Sequence, residues 1–282
     1  MVYLQKQVLL GLCLCISVMG CGKENTGTGD PGWTAPLPKE KLVVMSYNIR
    51  HCSPYNGTSM TPPPDIDGVV KVLKLLKPDV VLFQEVDSMT KRCQGVDQAK
   101  ELARLAGYPY YKFFRQKAYQ GGAYGAGILS RYKMENITNH PLQKVFDGYT
   151  MTGSNIMGSI EIEVEGKRIR MVTTHLSAKA TERPLQFPGM LKILTSSNLP
   201  TIVGGDFNSK PGSEIIKALD DAGLQRTTKD PTKLTIPSTT PTSQIDYIAF
   251  YPKTAFRVIS HAVITGTQAS DHLPIVTVLS IK

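Results

Sequence analysis

An apolar strand leads into a short polar cluster at residues 202–211, which read IVGGDFNSKP. Because residues two apart on an extended backbone point the same way, Asp206 and Asn208 share one side and Phe207 turns into the core. The two glycines allow another backbone or a ligand to come close. A carboxylate and a carboxamide side by side at a strand end suit a metal or phosphate site, and the alternative is a strand followed by an Asx-type turn.

Polar groups border five further strand-like runs. VVMSYN lies at 43–48, VVLFQE at 80–85 and MVTTH at 171–175. Later in the chain, IDYI lies at 245–248, and SDH at 270–272 precedes LPIV. Polar side chains that recur at the borders of apolar strands favour the metal or phosphate site over the simple turn.

Seven motifs occur in chain order, and they read SYNIR, QEVD, YGAGILSR, THLS, GGDFN, QIDYI and SDHLP. In this order they resemble the endonuclease/exonuclease/phosphatase family, which contains DNase I-like nucleases, abasic-site endonucleases, sphingomyelinases and inositol-polyphosphate 5-phosphatases. The resemblance covers about residues 41–282. It implies an α/β fold, a four-layer α/β/β/α sandwich of two mixed, largely antiparallel sheets with outer helices, and metal-dependent hydrolysis of a phosphoester.

The hydrophobic pattern leads to the same architecture. Apolar residues at helical spacing predict helices at 65–77, 96–106, 183–197 and 213–222. Strands are predicted at 110–115 and 126–130, on either side of a glycine-rich loop at 121–125. Strict alternation at 160–165 predicts a half-exposed antiparallel strand that returns through 168–175. Strands with interspersed helices and antiparallel hairpins indicate two packed sheets covered by helices.

Composition sets outer limits on the partners. The apolar fraction of 41% is ordinary for a soluble globular protein and supports a sizeable core. The formal net charge of +9 favours anionic partners such as nucleic acid, phosphorylated lipid head groups or a membrane surface. The charge is spread through the chain, so simple solubility charge is the alternative. We expect a monomer, with nucleic acid a partner only as substrate.

The N-terminus is predicted to be a targeting segment. The apolar run at 8–19 is too short to span a bilayer comfortably, so residues 1–20 are interpreted as a signal peptide. The residues SVMG before Cys21 resemble a bacterial lipoprotein box, which implies cleavage there and lipid on Cys21; an ordinary signal peptide is the alternative. Residues 21–40 form a predicted flexible tether and 41–282 the enzyme domain. We expect a lipoprotein of the bacterial cell envelope, periplasmic or surface-exposed, with the membrane as a partner through its anchor.

Two cysteines belong to the domain. Cys52 follows the strand at 43–48 and Cys93 follows the strand at 80–85. If these strands are neighbours, both loops leave the same end of the sheet, in an exported context that permits disulfides. A Cys52–Cys93 disulfide is therefore one expectation, and two unpaired, small apolar residues are the other.

The resemblance implies a metal site around Glu85. This carboxylate ends a buried apolar run, where it requires a partner, and a divalent cation is a natural one. Asn48 is expected beside Glu85, and Asp271 next to the metal or phosphate. Mg²⁺ commonly uses one or two carboxylates with waters and substrate phosphate, so Mg²⁺ or Mn²⁺ is the expected cofactor, with Ca²⁺ a further candidate.

Five residues are the predicted catalytic group. Asp246 is expected to orient His272, which would take a proton from the attacking water. His175 would bond a phosphate oxygen or protonate the leaving group, while Asp206 and Asn208 position phosphate and water. Asp206 is the alternative base.

Two features stand outside these motifs. The other histidines, His51, His140 and His261, are expected to be structural, although His51 borders the site loop. Many relatives carry a Glu-x-Arg motif in the strand after the ILSR segment, and residues 149–155 contain no arginine.

The sequence therefore predicts an exported, lipid-anchored, metal-dependent phosphoester hydrolase. A scavenging nuclease of DNA or RNA is the alternative within enzymes. A catalytically inactive scaffold that binds a phosphate ligand is the alternative from another class, and competent residues at every matched position argue against it. We expect a phosphodiester or phosphomonoester of a small or flexible molecule, because the protein works outside the cytoplasm and close to a membrane.

Overall fold

The computed structural model describes residues 41–58, 60–140, 142, 145–153 and 156–282. The predicted signal peptide, Cys21 and the tether lie outside these residues. Every helix among the described residues is too short or too polar to cross a bilayer. The helices are α1 (Ile66–Leu76), α2 (Gln98–Ala106), α3 (Arg183–Thr195) and α4 (Glu214–Asp221), with a 3-10 turn at Arg50–Cys52. The strands are β1 (Lys41–Asn48), β2 (Val80–Ser88), β3 (Tyr110–Tyr119), β4 (Gly122–Ser130), β5 (Glu135–His140), β6 (Val145–Phe146), β7 (Tyr149–Thr150), β8 (Ile156–Val164), β9 (Lys167–His175), β10 (Thr201–Asp206), β11 (Gln225–Arg226), β12 (Asp246–Tyr251), β13 (Phe256–Val263) and β14 (Ile275–Ile281).

Two six-stranded sheets form the centre of the fold. The first has the order β13-β14-β1-β2-β4-β3 and the second the order β11-β12-β10-β9-β8-β5. Strand β1 runs parallel to β2, and β9 runs parallel to β10, whereas the other neighbours are antiparallel. Both sheets are therefore mixed and largely antiparallel, as predicted.

Three apolar cores separate four layers. The inner faces of the two sheets enclose one core, which includes Leu82, Phe114 and Ile248. A second core lies between the first sheet and helices α1 and α2, and a third lies between the second sheet and helices α3 and α4. Each helix contributes one apolar stripe, as amphipathic spacing requires. The structure confirms the predicted α/β/β/α sandwich.

Gly204 lies where the two sheets approach each other, near the candidate site residue Asp206. A Cβ atom at Gly204 would lie 2.7 Å from Leu82 Cδ1 and 3.0 Å from Ser46 Cβ, on the opposite sheet. A side chain at this position would require Leu82 and Ser46 to shift. The absence of a side chain thus lets the ends of these strands approach each other, two residues before Asp206.

The predicted glycine-rich loop at 121–125 is wrong in its extent. Strand β4 begins at Gly122, and only the tip at Gln120 and Gly121 has positive φ. A Cβ atom at Gly125 would lie 1.9 Å from the Phe114 carbonyl oxygen on β3. Gly125 therefore allows β3 and β4 to approach closely. The β3–β4 hairpin extends further than the glycine content of residues 121–125 suggests.

The disulfide expectation for Cys52 and Cys93 is also wrong. Both cysteines are buried and free, and the Cys93 thiol donates to the carbonyl oxygens of Thr90 and Val96 at 3.3 and 3.1 Å. The strands that precede the two loops are neighbours, as assumed, but each loop buries its cysteine separately from the other. Burial raises the pKa of the Cys52 thiol, which keeps it in the unreactive form.

We predict that both thiols stay free in the folded, unreduced protein. Because the side chains are 0% and 4% exposed, a maleimide should label neither in the native state and both after denaturation without reductant. Intact-mass spectrometry gives the count of labels. Recovery of a cross-linked peptide that joins Cys52 to Cys93 would contradict this expectation.

Candidate active site

Strand register brings three site residues side by side in the second sheet. Asp206 pairs with His175 on the parallel neighbour β9 and with Asp246 on the antiparallel neighbour β12. Asp206 and His175 are the last residues of their strands and Asp246 is the first of its own. All three therefore lie at one edge of the sheet.

The first sheet contributes Asn48 and Glu85 from its central strands. The Asn48 side-chain amide nitrogen lies 3.2 Å from Glu85 Oε1 and 3.1 Å from Asp206 Oδ2. The second contact crosses between the sheets. Asn48 is fully buried, so this bond between the strand ends is shielded from competing water.

Glu85 occupies an unusual backbone conformation. The pairing of β2 with β4 shifts register between Phe83 and Val86, and Glu85 within this bulge has a φ of 56°. A non-glycine residue in the left-handed region costs roughly 1–2 kcal/mol. Bulges commonly re-aim a side chain next to an active site. The bulge here turns the carboxylate toward Asn48, and Glu85 is the one partly exposed residue in the middle of a buried strand.

His272 is held by a buried carboxylate. Its Nδ1 atom lies 2.9 Å from Asp246 Oδ2, which also accepts a hydrogen bond of 2.5 Å from the Thr235 hydroxyl. The backbone N–H of His272 donates to the Ser270 hydroxyl, whose own proton goes to the Asn48 carbonyl oxygen. These contacts give the imidazole one orientation, with the Nδ1 proton on Asp246.

The other ring nitrogen of His272 points into the site. His272 Nε2 lies 3.7 Å from Asp206 Oδ2 and 3.5 Å from the Asn48 amide nitrogen. Burial lowers the pKa of His272, but the charges of Asp246 and Asp206 outweigh it and raise the pKa to about 10. Without a further positive charge, His272 is therefore an imidazolium at neutral pH.

His175 and Asn208 form the opposite wall. His175 Nε2 lies 3.4 Å from Asp206 Oδ2 and 3.2 Å from the Asn208 side-chain nitrogen. Burial lowers the pKa of His175, and its bond to Asp206 outweighs this effect and raises the pKa above the usual value. Both histidines hold Asp206 ionised, since their contacts lower the pKa of this buried carboxyl. Phe207, which lies between Asp206 and Asn208 in the sequence, is fully buried, as predicted.

Asp271 lies beside Arg50, a residue the sequence analysis did not single out. The two side chains approach to 3.6 Å between Oδ2 and Nε. Arg50 begins a turn in which three successive residues other than glycine have positive φ, 46°, 47° and 59°. Its backbone N–H donates to Asn48 Oδ1 at 3.0 Å. Such strain persists only where the surroundings impose it and is common at functional sites.

The donor set fits a hard divalent cation. Carboxylate oxygens of Glu85, Asp206 and Asp271 are the ligands that Mg²⁺, Mn²⁺ and Ca²⁺ prefer. The predicted ligand Asn48 instead turns its amide nitrogen toward Glu85 and Asp206, and its amide oxygen accepts from the Arg50 N–H. Asp206, Asp246 and His272 also form a group whose ligand atoms all lie within 4.8 Å of one another. Asp246 and His272 already bond each other, which leaves Asp206 as the member best able to serve a cation. The edge of the site around Asp206 and Glu85 can therefore accommodate one.

The remaining histidines have structural partners. His140 Nε2 lies 2.8 Å from the Ser159 hydroxyl, and His261 Nδ1 lies 2.9 Å from the Thr227 hydroxyl. Burial, with help from Arg92, lowers the pKa of His51 to about 4, so this ring is neutral. His51 supports the site only through its carbonyl oxygen, which accepts a bond from Gln98.

A carboxylate that the motifs did not reveal anchors the segment where relatives carry arginine. Glu182 accepts hydrogen bonds from the Thr152 and Gly153 backbone N–H groups and from the Ser177 hydroxyl. Lys179 Nζ donates to the Thr152 hydroxyl at 2.6 Å. These contacts tie the segment to the loop after His175. No local sequence signal marks Glu182, because its backbone partners Thr152 and Gly153 lie about 30 residues earlier in the chain.

Comparison with known proteins agrees with this geometry. Residues 45–272 match the model of the Endonuclease/Exonuclease/phosphatase family. A family member from Bacteroides thetaiotaomicron superposes with a TM-score of 0.69 at 17% identity, with coverage of 86% of this chain and 98% of that chain. The human Nocturnin catalytic domain with bound sulfate gives 0.63 at 22% identity, with coverage of 88% and 96%. Mannosyl-6-phosphatase from Bacteroides thetaiotaomicron gives 0.65 at 19% identity, with coverage of 85% and 100%.

No curated protein matches the chain in the corresponding comparison. The family model spans more than three quarters of the sequence and contains every site residue described above. The structural likenesses, all at low identity, agree in fold with that match. The chain therefore belongs to the endonuclease/exonuclease/phosphatase family of metal-dependent phosphoester hydrolases.

Proposed function

We propose that this protein is an exported, lipid-anchored phosphoester hydrolase in which the His272–Asp246 pair activates water. The observation that carries the proposal is the orientation of His272. Its Nδ1 is bonded to the buried Asp246 carboxylate, and its Nε2 lies near Asp206 and Asn48 at the junction of the two sheets. A fixed imidazole whose second nitrogen points into a site at the junction of two sheets is the arrangement of a general base.

The proton affinity of His272 must fall before it can act as a base. The surrounding carboxylates keep the metal-free imidazole protonated at neutral pH, with a pKa of about 10. Glu85, with Asp206, Asp271 or Asn48, would hold a divalent cation, whose positive charge would offset these carboxylates and polarise a phosphate oxygen or water. Asp246 then stabilises the imidazolium that forms when His272 takes a proton.

His175 and Asn208 are suited to the phosphate. With Nε2 of His175 and the amide of Asn208 3.2 Å apart, both can donate to one phosphoryl oxygen or to the leaving oxygen. Asp206 lies between the two histidines and accepts from the Asn208 backbone N–H at 2.8 Å, which positions it to hold the attacking water. If Asp206 rather than His272 removes the proton, His272 acts as an electrostatic partner.

Location supports a small or membrane-derived substrate. The predicted anchor at Cys21 and the tether at 21–40 would keep the domain close to a membrane, where lipid head groups and scavenged nucleotides are available. The likeness to a mannosyl-6-phosphatase adds sugar phosphates to the substrates worth testing. The net charge of +9 favours the nuclease alternative.

We predict that a small phosphoester is hydrolysed faster than duplex DNA. The assay compares plasmid DNA, RNA, sphingomyelin, inositol phosphates, mannose 6-phosphate and bis(p-nitrophenyl) phosphate in Mg²⁺. A protein that neutralises several DNA phosphates loses affinity steeply with salt, so each substrate is assayed at low and high salt. Rapid, salt-sensitive nicking of plasmid without comparable turnover of the other substrates would establish the nuclease instead.

A further inference from the structure

A cationic and aromatic cluster borders the candidate active site, and the chemistry proposed above does not use it. Its members are Arg92, Lys117, Tyr119 and Tyr124, here called the hairpin rim. The Arg92 guanidinium carbon lies 4.6 Å from the ring centroid of Tyr119 and 5.8 Å from that of Tyr124. Lys117 Nζ lies 5.7 Å and 5.3 Å from the same two centroids. Two cations therefore share one pair of aromatic rings.

The hairpin rim lies at the end of the strand that carries Glu85. Tyr124 on β4 pairs with Asp87, two residues beyond Glu85 on β2. The backbone N–H groups of Lys91 and Arg92 donate to Gln120 at 3.0 Å, so the loop after β2 is joined to the tip of the β3–β4 hairpin. Burial lowers the pKa of Arg92, but Asp87 and, more weakly, Glu85 raise it above the usual value. The rim is thus within electrostatic reach of the Glu85 carboxylate.

Arg92 has a structural role that Lys117 lacks. Arg92 Nε and Nη2 bond the two oxygens of Asp87 at 2.5 and 2.8 Å, and Asp87 is fully buried. Arg92 is therefore the counter-ion of Asp87. Lys117 is exposed, and no carboxylate of the described residues forms an ion pair with it. Its charge at this edge is not needed to balance a buried group.

We propose that the hairpin rim binds a second anionic group of the substrate, in the first instance a phosphate. This inference rests on the proposed function, because it assumes that the scissile phosphate occupies the centre at Asp206 and His272. Lysine and arginine are strong donors to phosphate oxygens. The rings of Tyr119 and Tyr124 restrict the motion of the Arg92 and Lys117 side chains before binding. Less conformational entropy is therefore lost when a ligand binds.

Calorimetric titration of two sugar phosphates tests the inference. Fructose 6-phosphate carries one phosphate and fructose 1,6-bisphosphate carries two, and both are titrated in Mg²⁺. The His272→Ala background prevents turnover of either ligand. We expect the bisphosphate to bind about threefold to fivefold more tightly, as for a partly exposed ion contact. This preference should shrink as salt rises.

Lys117→Met should abolish most of that preference and leave the affinity for fructose 6-phosphate unchanged. Lys112→Met is the matched control, because Lys112 is exposed on the same strand near its other end. Arg92 is left intact, since its loss would bury Asp87 unpaired. Three results would overturn this inference without affecting the proposed function. They are equal binding of both ligands, a preference for the bisphosphate that survives Lys117→Met, and an equal loss of that preference in Lys112→Met. If neither ligand binds, the proposed phosphoester site fails and the inference fails with it.

Discussion

Replacement of His272 by alanine should lower kcat by about 100-fold or more, the range expected for loss of a general base. The measurement is initial-rate kinetics on whichever phosphoester the panel identifies, in saturating Mg²⁺. KM should change far less than kcat, because the proposed role of His272 is to take a proton from the attacking water rather than to bind the body of the substrate. Asp246→Asn should act in the same direction, since the amide no longer fixes the Nδ1 proton or stabilises the imidazolium.

Two variants separate this effect from loss of structure. His261→Ala removes a partly buried imidazole that bonds Thr227 and is not among the site residues, so it reports the cost of deleting a structural histidine. Thermal denaturation of both proteins shows whether each folds. Asp206→Asn distinguishes the two candidate bases, because it should lower kcat more than His272→Ala does if Asp206 removes the proton. Near-normal kcat in His272→Ala would move the base to Asp206.

Removal of the proposed metal ligand Glu85 should be as severe. Glu85→Gln keeps the shape of the side chain but removes the charge, and we expect at least a 100-fold loss of activity, at or beyond the upper range for loss of an outer-shell partner. EDTA should abolish the activity of the wild-type protein, and Mg²⁺ or Mn²⁺ should restore it. Metal affinity, measured by titration of Mn²⁺, should weaken in parallel. Full turnover by metal-free protein would end the metal hypothesis.

The strained backbone at Glu85 permits a companion test. Glu85→Gly removes the carboxylate at a position with a φ of 56°, where glycine carries no steric penalty. Activity should be lost as in Glu85→Gln, while the melting temperature should stay the same or rise. Glu163→Gln is the matched control, because Glu163 is an exposed glutamate on β8. A fall in stability without loss of activity would show that Glu85 is retained for folding.

Local patterns, with the family resemblance that the motifs imply, were enough to predict the architecture and to name the candidate site residues. The apolar positions of α1 bury Val69, Val72 and Leu73 as their spacing requires, and the alternation at 160–165 became β8. The candidate residues at strand borders meet because β9 and β10 end, and β12 begins, at one edge of the second sheet. These features depend on periodicity and strand ends, which are properties of short segments.

Tertiary packing determined the contacts that make these residues one site. The Asn48–Asp206 bond joins residues 158 apart, and it depends on the close approach of the sheets at Gly204. The bulge at Glu85, the left-handed turn at Arg50 and the separate burial of Cys52 and Cys93 follow from how loops pack against a finished sheet. Hydrophobic periodicity specifies which face of a segment is buried. It carries no information about the register between distant strands or about strain that surrounding contacts impose.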